Sequence, residues 1–196
     1  MNKMPTNSLV AMALFAALTA IGAFIKIPIP YVPFTLQILF VFLAGSLLGS
    51  KKGMLSQVAY VGIGLAGLPV FTQGGGIGYF LQPTFGYLLG YIAGAFVVGR
   101  ILEKVENPKT YHFIFSNLAG LFIVYSIGVP YLYLALNVWM GIESSWSYVL
   151  MIGFVYAIAG DILISIIAGV LAKRLYSVFH KYRKDQRVAV QKETVA

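Results

Sequence analysis

Apolar residues run through this chain in six long blocks, near residues 8–25, 34–50, 53–71, 80–100, 113–139 and 147–172. Short polar, glycine-rich or proline-rich stretches separate them. Most blocks approach the roughly 20 residues that carry a helix across about 30 Å of hydrocarbon. The second is short and the third is interrupted by glycine, which lipid tolerates only where the backbone faces protein or a cavity. The pattern predicts an all-α integral membrane protein, one six-span domain over residues 1–196. Lys3 before an apolar run has the look of a leader peptide, but five further blocks follow and it is read as a retained first helix.

Between the third and fourth blocks lies the most unusual stretch, Gly67 to Gly94. Its first half holds Gly67, Gly74, Gly75, Gly76 and Gly78 with Pro69 and Pro83, a composition for turns. Its second half spaces Gly86, Gly90 and Gly94 four apart, giving a smooth helix face for close packing. The uncharged glycine loop reads either as a rim whose bare N–H groups meet a small ligand or as a plain external turn. Before the second block, Pro28, Pro30 and Pro33 hold the connection extended and delay the next helix, which Thr35 and Gln37 begin.

Composition agrees with the pattern. The 196 residues are 59% hydrophobic and 10% charged, against about 25% charged in a soluble domain. Charge then orients the spans. With the N-terminus inside, 13 of the 14 Lys and Arg fall on inner loops and ends, and Lys26 alone falls outside. Both termini are thereby predicted to be cytoplasmic. Trp139 and Trp146 flank the last outer connection, as an aromatic belt does. The net charge of +8 follows from this topology and from anionic lipid heads, not from nucleic-acid binding. The basic tail from Tyr176 onward reads as a frayed amphipathic end on the inner surface.

Candidate chemistry is sparse. No cysteine exists, and His112 and His180 lie in basic flanks, so no metal or cofactor is implied. Gly62-Ile-Gly-Leu-Ala-Gly67 matches a dinucleotide fingerprint only formally, since it sits in an apolar span without the strand before it. No ATP-binding Gly-x-x-x-x-Gly-Lys motif and no carboxylate pair is present. Asp161 is the one acidic residue inside a span. It lies 12 residues before Lys173, about 18 Å along a helix and near mid-depth. A lone carboxylate there costs about 2.5–3.5 kcal/mol on insertion scales unless something pairs with it. Either neighbouring side chains (Gln37, Asn117, Ser165) satisfy it, or a ligand does. In the first span, Ala13, Ala16, Ala17 and Ala20 form two small-xxx-small patterns, a face for this bundle's own packing or for another membrane subunit.

Taken together, Val32-Pro-Phe-Thr-Leu-Gln37, Gly64-Leu-Ala-Gly-Leu-Pro-Val-Phe71, Gly74-Gly-Gly-Ile-Gly78, Pro83-Thr-Phe-Gly-Tyr-Leu88 and Gly160-Asp161 resemble the BioY family. Its members are the biotin-specific S components of energy-coupling factor (ECF) transporters. The resemblance runs through all six spans in the family's order. It implies high-affinity biotin capture from outside, in a bacterial cytoplasmic membrane, without enzymatic turnover. It also implies a transmembrane coupling subunit and two cytoplasmic ATPases as partners, the former meeting Ala13, Ala16, Ala17 and Ala20. Asp161 would accept from the ureido N–H groups of biotin, with Gln37, Thr84, Tyr87 and the backbone N–H groups of Gly74, Gly75 and Gly76 as further contacts. Phe71, Tyr79 and Tyr156 would form walls. Two positions depart from the family pattern. Ile164 stands where many relatives have lysine, and Gln82-Pro-Thr-Phe-Gly-Tyr87 replaces Gly-Pro-Thr-Gly-Gly-Tyr. Other classes remain: a self-sufficient ion-coupled transporter, which would work without an ATPase, and a membrane enzyme, which would need a second catalytic group.

Overall fold

The computed structural model describes residues 5–195, and side chains as far as Phe179. Its helices are α1 (Thr6–Phe24), α2 (Gln37–Leu48), α3 (Ser50–Leu65), α4 (Phe85–Leu102), α5 (Thr110–Leu134), α6 (Trp146–Leu150) and α7 (Tyr156–Val195). A π-helical turn, Ala135–Trp139, extends α5, and another, Met151–Val155, joins α6 to α7. The six apolar blocks thus become six helical rods, the last of them α6 and α7 in line. Four rods are long and apolar enough to cross a membrane. The side chains of the basic tail, including His180 and the cations from Lys181 onward, lie outside the described residues.

α2 is the central rod. At 12 residues it spans about 18 Å, short of the hydrocarbon thickness. It packs against α1, α3, α4 and α7, and every one of its residues except Leu39 and Phe40 is buried. An apolar helix with no polar face belongs inside. The outer helices turn residues such as Val10, Phe115, Phe122 and Leu163 outward, as a lipid-facing surface requires.

Two turns fix the ends of α2. Gly49, at φ 85°, reverses the chain between α2 and α3. Glu103, just past α4, then accepts from the Ser50 N–H at 2.8 Å and from its hydroxyl. A carboxylate at a helix start satisfies free N–H groups and meets the positive end of the helix dipole. At the other end, the proline-rich connection is a small hairpin, not a simple extended strand. Lys26–Ile27 (β1) pairs antiparallel with Phe34–Thr35 (β2). The prolines delay the helix as expected, and the strand pairing was not legible from spacing.

The seam between α4 and α5 rests on the glycine stripe. A Cβ at Gly90 would lie 2.9 Å from Val124 Cα, and one at Gly86 would lie 2.2 Å from Tyr131 Cβ. Backbones therefore approach directly, which is how helices associate without a hydrophobic drive. Gly90→Ala is expected to cost about 1–3 kcal/mol through overpacking. Gly62→Ala, where a Cβ meets nothing within 4 Å, is expected to be neutral or slightly stabilising. Thermal unfolding of the two variants in detergent measures the contrast.

Candidate functional site

A cavity of about 40 Å³ lies where the starts of α2 and α4 meet α5, α7 and the hairpin. Its wall includes Thr35 and Gln37, then Thr84, Tyr87, Leu88 and Tyr91 along α4. Tyr125 of α5 and Gly153, Ala157 and Asp161 of the last rod complete it, with Val32, Pro33, Phe34, Ile38, Thr72 and Tyr79 around them. The last three wall positions of the final rod fall at four-residue intervals and so share one face. Tyr87 and Tyr91 do the same on α4.

Asp161 is 5% exposed. The Tyr125 hydroxyl donates to its Oδ2. Among the described residues no donor reaches Oδ1. Tyr87 donates to the Gly153 carbonyl at 2.7 Å, inside the π turn. A Cβ at 153 would lie 2.7 Å from that hydroxyl, so glycine is what leaves room for the bond.

Both ends of the Gln37 side chain are engaged. Its Oε1 accepts from the Thr35 hydroxyl at 3.1 Å, and its Nε2 donates to the Tyr60 hydroxyl at 2.8 Å. Tyr60 in turn donates to the Val70 carbonyl at 3.0 Å. The rim is tied down similarly. Tyr79 bridges the hydroxyls of Thr72 and Thr84 at 3.1 and 3.0 Å, and Lys26 donates to the Thr72 carbonyl at 2.6 Å.

Four expected positions, Asp161, Gln37, Thr84 and Tyr87, meet at this cavity. Four others do not. The Gly74 N–H bonds the Phe71 carbonyl and the Gly76 N–H bonds the Gly64 carbonyl, at 3.2 and 2.7 Å. Gly75 packs on the Leu68 carbonyl, where a Cβ would come to 2.1 Å. Gly74 and Gly76 have φ of 113° and 101°. Gly74 and Gly76 build the turn and spend their N–H groups on it, and none of the three glycines lines the cavity wall. Tyr156 is 56% exposed on the outer face of α7, one position and about 100° away from Ala157. Phe71 is buried against Tyr60 and Tyr79 behind the wall. Sequence reasoning missed Thr72, Tyr91 and Tyr125. The Tyr87–Tyr91 spacing was a usable signal, whereas nothing in the sequence links Tyr125 to Asp161.

On the outside of α1 and α3 lies an apolar groove of about 510 Å³. Ala13, Ala16, Ala17 and Ala20 line it together with Tyr60, Ile63 and Val70. Ala13 and Ala17 are exposed, and Ala16 is buried.

Residues 1–181 match the model of the BioY family. The chain belongs to that family. It is 58% identical over 190 residues to the probable biotin transporter BioY of Lysinibacillus sphaericus, covering 97% of both chains. It is 41% identical to the biotin transporter BioY of Thermotoga maritima, over 86% of this chain and 95% of that one. The crystal structure of the S-component for biotin from an ECF-type ABC transporter superposes with a TM-score of 0.76 at 30% identity. That match covers 89% of this chain and 95% of the other. Membership in a transporter family, with several apolar helices, makes this a multi-pass membrane protein and points away from an enzyme.

Tyr60→Phe is expected to leave the Gln37 Nε2 donor without an acceptor in a dry site. The cost should be about 1–3 kcal/mol of stability, read as a lower melting temperature in detergent.

Proposed function

We propose that this chain is the biotin-binding S component of an ECF-type uptake transporter, seated in a bacterial cytoplasmic membrane with both termini inside. The observation that carries the reading is the free Oδ1 of a buried carboxylate at the wall of a cavity with apolar and hydroxyl surfaces. A biotin ureido N–H would donate to it, and charge-assisted bonds in a dry pocket are the strong kind. Val32, Ile38 and Leu88 offer apolar surface to the fused sulfur ring. Lys26 stands behind the wall residue Thr72 as the nearest external cation for the carboxylate tail.

At about 40 Å³ the cavity is far smaller than the roughly 300–1,000 Å³ of small-molecule sites. Biotin therefore requires the wall to open. The turn between β1 and β2 closes one side of that wall, with Val32 buried in the core and Pro33 beside it at the cavity.

Release inward depends on partners. The groove along Ala13, Ala16, Ala17 and Ala20 is the surface for a transmembrane coupling subunit, because small residues let a second helix approach closely. Two cytoplasmic ATPases would supply the energy this chain has no motif to harvest.

Titration calorimetry of detergent-purified protein, without ATP, is expected to give tight biotin binding. Asp161→Ala should lose about 100-fold or more, as removal of a buried charged partner does, at an unchanged fold. Tyr156→Ala should stay within about twofold, since that side chain faces away from the cavity. Biotin affinity that survives Asp161→Ala would remove the carboxylate from the site. For the groove, Ala17→Trp is expected to abolish co-purification with the coupling subunit while biotin binding persists. ATP-independent biotin uptake by this chain alone in sealed vesicles would instead favour an ion-coupled transporter.

A further inference from the structure

Among the described residues the carboxylate that meets the ligand has one protein donor, and that donor is neutral. Tyr125 reaches Asp161 from α5, across the helix interface, and takes Oδ2. Its ring is fixed edge-on between two others, with centroids 6.1 Å from Tyr87 and 5.0 Å from Phe154. Of the two other tyrosines at this wall, Tyr87 is committed to the Gly153 carbonyl, and the hydrogen bonds to the carboxylate include none from Tyr91. One turn beyond Asp161 the chain has Ile164, buried, and no Lys or Arg lines the cavity among the described residues. A carboxylate on one bond can rotate about its χ2 torsion, which is broad for aspartate. Pinning Oδ2 removes that freedom and leaves Oδ1 as the oxygen offered to the cavity.

We propose that Tyr125 is a positioning residue for ligand recognition: it holds Asp161 so that one defined oxygen reads a ligand N–H. The proposal rests on the biotin reading above and assigns Tyr125 no contact with the ligand. Its consequence is a selectivity. The hydroxyl matters for a ligand that donates to Asp161 and is irrelevant for one of the same shape that cannot donate.

The test uses full-length protein in detergent and two ligands, biotin and its cyclic carbonate analogue, in which oxygens replace both ureido N–H groups. Tyr125→Phe keeps the ring packing and removes only the donor. It is expected to weaken biotin about tenfold, as loss of a bond to a charged group does, and to change the carbonate less than twofold. In an Asp161→Asn background it should add nothing for either ligand, a full coupling in the double-variant cycle. Equal weakening of both ligands, or additive losses in the double variant, would show a packing role and overturn the proposal. Wild-type protein that binds neither ligand overturns the biotin reading and this proposal together. If Tyr125→Phe does not fold, wild-type protein carrying ¹³Cζ-tyrosine takes its place. One tyrosine resonance must move in Asp161→Asn and also on adding biotin, and an unmoved resonance on adding biotin overturns the proposal.

Discussion

Hydrocarbon offers no hydrogen bonds, so each polar group at depth must find its partner inside the protein or in something the protein holds. Asp161 is where that constraint binds hardest. A mid-depth aspartate costs about 2.5–3.5 kcal/mol on insertion scales. An interhelical hydrogen bond in lipid averages about 0.6 kcal/mol, so the single bond from Tyr125 leaves most of that cost outstanding. The structure tolerates the deficit by placing the carboxylate at a cavity wall, where a donor from outside can complete it.

Most of the other buried polar groups find protein partners, Gln57 Oε1 and Ser144 Oγ being the exceptions among the described residues. Asn117 donates to the Ser165 carbonyl, Ser116 to Phe113 and Thr19 to Phe15, all locally or between neighbouring helices. Gln37 spends both ends of its amide on protein partners, and through Tyr60 it joins the cavity wall to the wall of the α1–α3 groove. The cavity and the groove thus share one buried pair of side chains. The glycines divide in the same way. Gly86 and Gly90 serve close helix approach, Gly74 and Gly76 serve left-handed turns, and Gly153 makes room for the Tyr87 hydroxyl.

Gln37, Thr84 and Tyr87 stand at the starts of α2 and α4, and Asp161 lies deeper along the last rod. A sequence pass could pick them out because each is polar or amphipathic in an otherwise apolar block. The glycine loop left two courses open for a physical reason. Its composition reports backbone freedom, and the same freedom serves a turn that consumes its own N–H groups as well as a rim that offers them. Tyr156 misled because an aromatic residue in a span carries no sign of which face it takes until the helix phase is fixed, here by the π turn at Met151–Val155.

Hydropathy and charge along the chain by themselves determined the membrane class, the number of helical rods, the single buried carboxylate and the small-residue faces, because lipid solvation acts on each segment locally. Tertiary structure alone decided the rest. It buried α2 at the centre, folded the proline stretch into a hairpin, and turned Ala13 and Ala17 outward into a groove. It also brought the Tyr125 hydroxyl to Asp161 across 36 residues of sequence. Which donor meets which acceptor depends on helix rotation and register, and these are set by close packing between segments, a property that no one segment carries.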